Sequence, residues 1–334
     1  MKLPYEFCRL PLRFDAARLR AEVEALPESA WSRHPTDYAG NSAVRLISSR
    51  GEENDAFVGP MLPTAHLRAC PYITQVLAGF GVVFSRSRLM QLAPGARVPP
   101  HCDAGYHWYD RVRIHIPVRT RPEVRFQCGA QTVHMAEGEA WLFDNWRPHQ
   151  VLNDSPEPRI HLVADTVGSA AFWALARRGQ WQHFEQPLAL VPQPYQPGLA
   201  VEIATERYNV EPVMHPGELD RLVEDLLADL AAPGVEEPRP RLLAFHAALR
   251  GFAQEWRHLW SQHGGEERGW SYYLQLRSQG RAHAQAAGGG LAMRSNGLAA
   301  LAVLDARILR YVLQLPVPGT ALGGESGGVP GDRA

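Results

Sequence analysis

Between Val82 and Thr166 the sequence reads as a succession of short strands with no helical period between them. Alternation and β-branched content predict strands over Val82 to Ser85, Arg88 to Leu92, Val112 to Val118, Val124 to Cys128, Gln131 to Met135, Glu139 to Phe143 and Ile160 to Thr166. Turn chemistry separates them at Pro94-Gly95, Pro99-Pro100, Arg121-Pro122, Cys128-Gly129 and Glu137-Gly138. Many short strands at this spacing, uninterrupted by helices, argue for an antiparallel sandwich or barrel. The double-stranded β-helix, or jelly roll, is the member of that class that carries metal sites in its mouth.

The flanks read differently. Asp15 can cap a helix over Ala16 to Leu26, Ser42 to Ile47 is strand-like with the single arginine Arg45, and a second helix fits Tyr72 to Leu77 before Gly79. From about Gly198 the period switches to that of helices. Leu219, Leu222, Val223, Leu226, Leu227 and Leu230 line one face, and Leu242, Phe245, Leu249, Phe252, Trp256, Leu259 and Trp260 line another. A third stripe runs from Leu298 through Leu301, Ile308, Leu309 and Val312 to Leu315. The expected organisation is a mainly β, cupin-like jelly-roll domain at 1–197, an α-helical domain at 198–315 with Pro/Gly/Glu-rich loops such as 232–238, and a disordered Gly/Pro/Ser-rich tail at 316–334.

Composition narrows the chemistry. A chain of 334 residues can bury a sizeable core, and a formal net charge of −1 gives no reason to expect nucleic acid as a partner. Lys2 is the sole lysine. A phosphate-binding Walker A loop and a lysine Schiff base both need a lysine in the body of the fold, so neither can be built here. The four cysteines, Cys8, Cys70, Cys102 and Cys128, have neither zinc-site nor disulfide spacing and read as reduced thiols. No signal-peptide or membrane-spanning run occurs, and a cytoplasmic protein is the expectation.

His101 and Asp103 flank Cys102 after Pro99-Pro100. A spacing of two puts both side chains on one side of an extended segment, so they can bind one metal together while Cys102 points away. Such a pair alone is a weak signal among fourteen histidines. His149 fits as third ligand, because Trp141 to Asp144 reads as a strand running into a turn at Arg147-Pro148 that would deliver it from a loop edge. Two histidines and a carboxylate leave adjacent positions open on ferrous iron. Asp144 reads as an outer partner or turn residue. The run Arg111-Val112-Arg113-Ile114-His115-Ile116 places Arg111, Arg113 and His115 on one strand face, and Arg159 opens another strand ten residues past His149. Buried arginines need anionic partners, and a guanidinium holds a carboxylate through two parallel bonds. The set suits a metal plus a small dicarboxylate.

The order His101-x-Asp103, Arg113-x-His115, Phe143-Asp144, His149, Arg159 resembles the aspartyl/asparaginyl β-hydroxylase family of iron(II)- and 2-oxoglutarate-dependent oxygenases, which also contains bacterial L-proline cis-4-hydroxylases. The resemblance covers roughly Val82 to Gly168. It implies that His101, Asp103 and His149 bind Fe(II), that Arg159 grips the distal carboxylate of 2-oxoglutarate, and that Arg113 and His115 sit by its chelating end. Gln91, beside Met90, stands where other members place a hydroxyl. It further implies an enzyme that uses O2 to hydroxylate a C–H bond of an amino acid or of an amino-acid residue in a peptide, releasing succinate and CO2. Substrate candidates are Tyr106, His107 and Trp108 after the metal pair, Asn145 and Trp146 before His149, and Arg45, which is otherwise a surface arginine. The helical domain could close over substrate or form a homodimer interface. A cupin-like metal-binding or sensing module without oxygenase chemistry is the competing reading, and Arg159 with the Arg113/His115 pair discriminates, since such a module has no use for them.

Overall fold

The computed structural model describes residues 1–36, 38–230 and 239–315. The expected disordered tail and the 232–238 loop lie outside the described residues. Among the described residues thirteen strands form in chain order: β1 (Phe7–Phe14), β2 (Ser32–Arg33), β3 (Asn41–Ser49), β4 (Met61–Pro63), β5 (Phe84–Leu92), β6 (Arg97–His101), β7 (Val112–Arg119), β8 (Val124–Cys128), β9 (Gln131–Val133), β10 (Glu139–Phe143), β11 (His149–Asn153), β12 (Arg159–Thr166) and β13 (Val191–Gln193). They build a nine-stranded sheet ordered β13-β1-β10-β7-β12-β5-β3-β2, with β4 on β3, and a four-stranded sheet ordered β6-β11-β8-β9.

The jelly roll lies between β5 and β12. The chain passes from large to small sheet and back: β5, β7, β10 and β12 fall in the large sheet, and β6, β8, β9 and β11 in the small one. That crossing pattern, with β12 returning to pair antiparallel between β5 and β7, is a double-stranded β-helix. Each face of the large sheet has its own core. Leu89, Ile114, Ile116 and Leu162 pack with Leu19, Ile73 and Phe172 from the helices Ala16–Glu24, Pro71–Ala78 and Ala170–Arg177. On the other side Phe7, Leu92, Trp141 and Phe143 meet Phe126 and Val151 of the small sheet.

Two predicted strands, Val82 to Ser85 and Arg88 to Leu92, are one continuous strand, β5. No strand was predicted over β6 or β11, though His101 and Asp103 were read on an extended segment. Pro99 and Pro100 argue against a central strand, and β6 tolerates them because it is the edge of the small sheet, where missing N–H groups break no ladder. Strand β1 carries no turn signals of its own and is held by pairing with β10 and β13.

The described residues fall into two compact units, one of residues 1–103 with 110–209, the other of residues 104–109 with 210–315. The second contains the helices Pro216–Ala228, Arg239–His263, Trp270–Gly288 and Ala300–Leu304, the last continued by a π-helical turn over Asp305–Leu309. The stripes of the first two helices are buried as expected at Leu219, Leu222, Leu226, Phe245, Leu249, Phe252 and Trp256. The helix Trp270–Gly288 was not expected, because its buried face is Tyr273, Gly280, Ala284 and Gly288 rather than a stripe of large apolar residues.

Candidate metal centre

Strands β6 and β11 pair antiparallel with His101 opposite His149. Register alone therefore brings together two histidines 48 positions apart in the sequence, and their ring centroids lie 4.2 Å apart. Asp103 joins them just past the end of β6, its backbone N–H donating to the Asn145 carbonyl at 2.9 Å. One ligand atom from each of His101, Asp103 and His149 lies within 4.8 Å of the others, the cluster of metal-binding type found among the described residues. Both imidazoles are oriented in the same way. The Nδ1–H of His101 donates to the Pro99 carbonyl and that of His149 to the Arg147 carbonyl, each at 2.9 Å. In both rings the lone pair is left on Nε2, as a metal ligand needs. Burial, helped by His101, lowers the His149 pKa to about 4, so this ring is neutral at pH 7.

The turn that delivers His149 is built by Asp144. Its carboxylate accepts from the Trp146 backbone N–H at 3.0 Å and from Arg147 Nε at 3.1 Å, which makes it a turn residue rather than a third-ligand competitor. Asn145 is fully buried and its side-chain oxygen accepts from the Met1 amine. Beyond β11, Asn153 Nδ2 donates to the carbonyls of Leu92, Ala93 and Glu157, fixing where β12 and Arg159 begin.

The pleat decides which side chains share the barrel interior. On β12 these are Arg159, His161, Val163 and Asp165, opposite Leu92, Met90 and Arg88 of β5 and Pro117, His115 and Arg113 of β7. Gln91 pairs with Ile160 and Ser42 and therefore lies on the opposite face, packed toward the helices. This corrects its expected place beside the cofactor: the residue that faces inward from this part of β5 is Met90.

Charge balance differs sharply among the arginines of this face. Asp165 holds Arg113 through two bonds of 2.8 and 3.1 Å, and Glu206 holds Arg111 through 2.7 and 2.8 Å. The anionic partners expected for these two are thus carboxylates of the protein. Arg45 is gripped by Asp55 at 3.1 and 2.5 Å, with Ser32 and Glu53 alongside. Asp55 also meets Arg88 at 2.6 Å, and the Arg86 guanidinium stacks on Phe57 at 3.6 Å. Arg159 is the exception. It is 4% exposed, has no carboxylate partner among the described residues, and its Nε–H is unpaired. Its guanidinium bonds through Nη2 to His161 Nδ1 at 2.8 Å. Burial alone pulls its pKa down to about 9, the mark of a cation placed where the protein supplies no counter-charge. His115 lies next in the chain of contacts, its Nδ1 3.3 Å from His161 Nδ1 and its ring edge-on to Phe126 and Phe143. Both rings are held well below the ordinary histidine pKa, by burial first and by Arg159 next.

Sequence reasoning missed His161, Asp165, Asp55 and Arg88. The period-two run Arg159-x-His161-x-Val163-x-Asp165 was a readable signal for the first two. Asp55 sits in the chain between β3 and β4 and had none. Tyr106, His107 and Trp108 form a four-residue helix, Tyr106–Tyr109, grouped with the helical unit. There the Tyr106 hydroxyl donates to Glu218 at 2.5 Å and its ring stacks on Tyr311 at 4.9 Å.

Residues 16–168 match the family model for Aspartyl/Asparaginyl beta-hydroxylase. An L-proline cis-4-hydroxylase of Rhizobium meliloti is 27% identical over 169 residues, which are 48% of this chain and 60% of that protein. The chain thus spans less than two thirds of that relative's length. Among solved structures, a 2OG-Fe(II) oxygenase family protein from Burkholderia pseudomallei aligns at TM-score 0.35 and 14% identity over 46% of this chain and 80% of that one. A Pseudomonas putida prolyl-4-hydroxylase aligns at TM-score 0.35 and 14% identity over 49% and 92%.

Proposed function

Given that residues 16–168 match the model of the aspartyl/asparaginyl β-hydroxylase family, we propose that the protein is an Fe(II)- and 2-oxoglutarate-dependent hydroxylase of an amino acid or of an amino-acid residue in a peptide. The observation that carries this reading is the pairing of two features in one barrel: a His/Asp/His cluster with both Nε2 lone pairs free, and a buried arginine with no acid of its own. A metal-binding module without a dicarboxylate leaves Arg159 an uncompensated buried cation, which is costly.

The donor set would suit ferrous iron: two histidine rings that present Nε2, each with Nδ1 bonded to a backbone carbonyl, and one carboxylate, a three-ligand set that leaves coordination sites open. When bound, iron would activate O2 as oxidant, with one oxygen atom passing into succinate as 2-oxoglutarate is oxidatively decarboxylated to succinate and CO2, and the other into a substrate C–H bond. The protein's own residues set the geometry. His101, Asp103 and His149 hold the metal, and Arg159 holds the distal carboxylate. Arg113, locked by Asp165, lends positive charge on the side of Asp103. The aromatic wall of Phe126 and Phe143 around His149 and His115 keeps water from that side of the site. For substrate, Arg45, Arg88 and Asp55 offer guanidinium and carboxylate groups side by side, complementary to the two ends of an amino acid. Asn145, Trp146 and the Tyr106–Trp108 segment are the further candidates. Because a relative acts on L-proline, free amino acids come first in a screen for succinate formation coupled to a mass gain of one oxygen.

Anaerobic addition of Fe(II) and 2-oxoglutarate to the metal-free protein is expected to produce a weak visible charge-transfer band. A folded protein that gives none would sink the proposal. Arg159→Ala should raise the 2-oxoglutarate concentration needed for half-maximal band by on the order of 100-fold, as expected for losing a charge-assisted bidentate contact, while Fe(II) affinity stays within about twofold. Equal loss of both would reassign Arg159 to the metal site.

A further inference from the structure

Two bonds decide the tautomers at the base of the barrel. Arg159 Nη2 has only hydrogens to offer, so His161 Nδ1, 2.8 Å away, must accept. A neutral His161 therefore carries its proton on Nε2. The same Nδ1 lies 3.3 Å from His115 Nδ1, which must then be the donor, leaving the His115 lone pair on Nε2. His161 is 2% exposed, and its Nε2 is buried with no hydrogen-bond partner. Arg159 Nε–H is in the same condition. Two side chains on one face of one strand thus each hold an unused N–H in the barrel interior. An orphaned buried donor is costly, and two beside a lone guanidinium charge describe a seat for an anion with two oxygens. The register neighbours of His161 on this face are Met90 and Pro117, and neither has a side-chain donor to share the task. The free lone pair on His115 Nε2 would repel a carboxylate oxygen, which confines the anion to the Arg159/His161 side.

We infer that His161, as a neutral Nε2–H donor, holds the distal carboxylate of the 2-oxo dicarboxylic acid jointly with Arg159, an assignment that rests on the function proposed above. Arg159 supplies charge and sets the His161 tautomer; His161 supplies the second, uncharged hydrogen bond.

The test compares 2-oxoglutarate with 2-oxopentanoate, which has the same length and chelating end but no distal carboxylate. Binding is read anaerobically by the Fe(II) charge-transfer band. His161→Phe is expected to weaken 2-oxoglutarate by about 10- to 100-fold, the range for a hydrogen bond to a charged group, and to leave 2-oxopentanoate within about twofold. His161→Leu makes the same comparison if the Phe variant does not fold. His161→Gln, which keeps an N–H donor, should recover part of the lost discrimination. A merely orienting role is separated by a spectroscopic arm. In 15N-histidine-labelled wild-type protein loaded with Zn(II), the His161 Nε2–H resonance should move downfield on adding 2-oxoglutarate and stay in place with 2-oxopentanoate. Loss of both ligands alike in His161→Phe, or an Nε2–H resonance indifferent to 2-oxoglutarate, overturns the assignment while leaving the proposed function standing. Wild-type protein that shows no band with either acid overturns both.

Discussion

Arg159 is the residue on which function and stability pull in opposite directions. A buried cation without a counter-ion costs several kcal/mol after relaxation, and no carboxylate among the described residues pairs with Arg159. Replacing it with an apolar side chain of similar reach should therefore stabilise the protein in the absence of ligand. Arg159→Leu is expected to raise unfolding free energy by about 1–3 kcal/mol in buffer, and to abolish the rise in Tm that 2-oxoglutarate plus Zn(II) gives the wild type. A variant less stable than wild type without ligand would mean that the guanidinium is already compensated. Arg113, less buried and paired with an acid, should behave in the opposite way, because its removal strands the buried Asp165. That contrast was only half legible. The alternation placed Arg113 on one strand face and Arg159 at the start of another strand, but which of them had an acid opposite was set by the β7–β12 register, a pairing of residues 52 positions apart.

At the scale of elements, the strands that were read correctly are those whose pattern reflects their own environment. Those of β7, β8, β10 and β12 lie inside the sheets and repeat apolar residues accordingly. Strand β6, with two prolines, and β11, short and polar at its start, owe their extended form to neighbours, and these two carry the histidines. The C-terminal helices divide in the same way. Helix Trp270–Gly288 is packed through small residues: a Cβ at Gly280 would lie 2.5 Å from the Phe252 ring, and one at Gly288 would lie 2.6 Å from that of Phe245. Close approach of two helices needs no apolar stripe on one of them, so periodicity could not show it. Gly280→Ala should destabilise the helical unit by about 1–3 kcal/mol through overpacking, despite the better helix propensity of alanine. Chemical denaturation followed by tryptophan fluorescence checks this, and a stabilised variant would show that the Phe252 ring yields freely.

For the molecule as a whole, the buried histidines imply an acid-labile fold. Burial, with Arg88 next, holds His34 down to about 3, and His149 lies at about 4. His115 and His161 are lowered in the same direction. An unfolded chain protonates all four near pH 6.5, so between that value and about pH 4 the unfolded state binds more protons than the folded one. Stability is complete above pH 6.5 and declines as pH falls through this window. Urea midpoints of the metal-free protein should therefore be clearly lower at pH 5 than at pH 7.5. Equal midpoints would mean that these rings are charged or solvated in the native state.

The sequence by itself determined the class of fold and named His101, Asp103 and His149, which the structure brings together. Local alternation and turn residues report on whether a segment is extended, and His-x-Asp, a later histidine and a following arginine report on which chemistry is affordable in such a barrel. What only the tertiary structure decided was partnership. Strand register set His101 opposite His149, gave Arg113 to Asp165, turned Gln91 away and Met90 inward, and left Arg159 with His161 alone. Register depends on pairings between distant segments, and a shift of one residue would reverse every face. No local pattern contains that information.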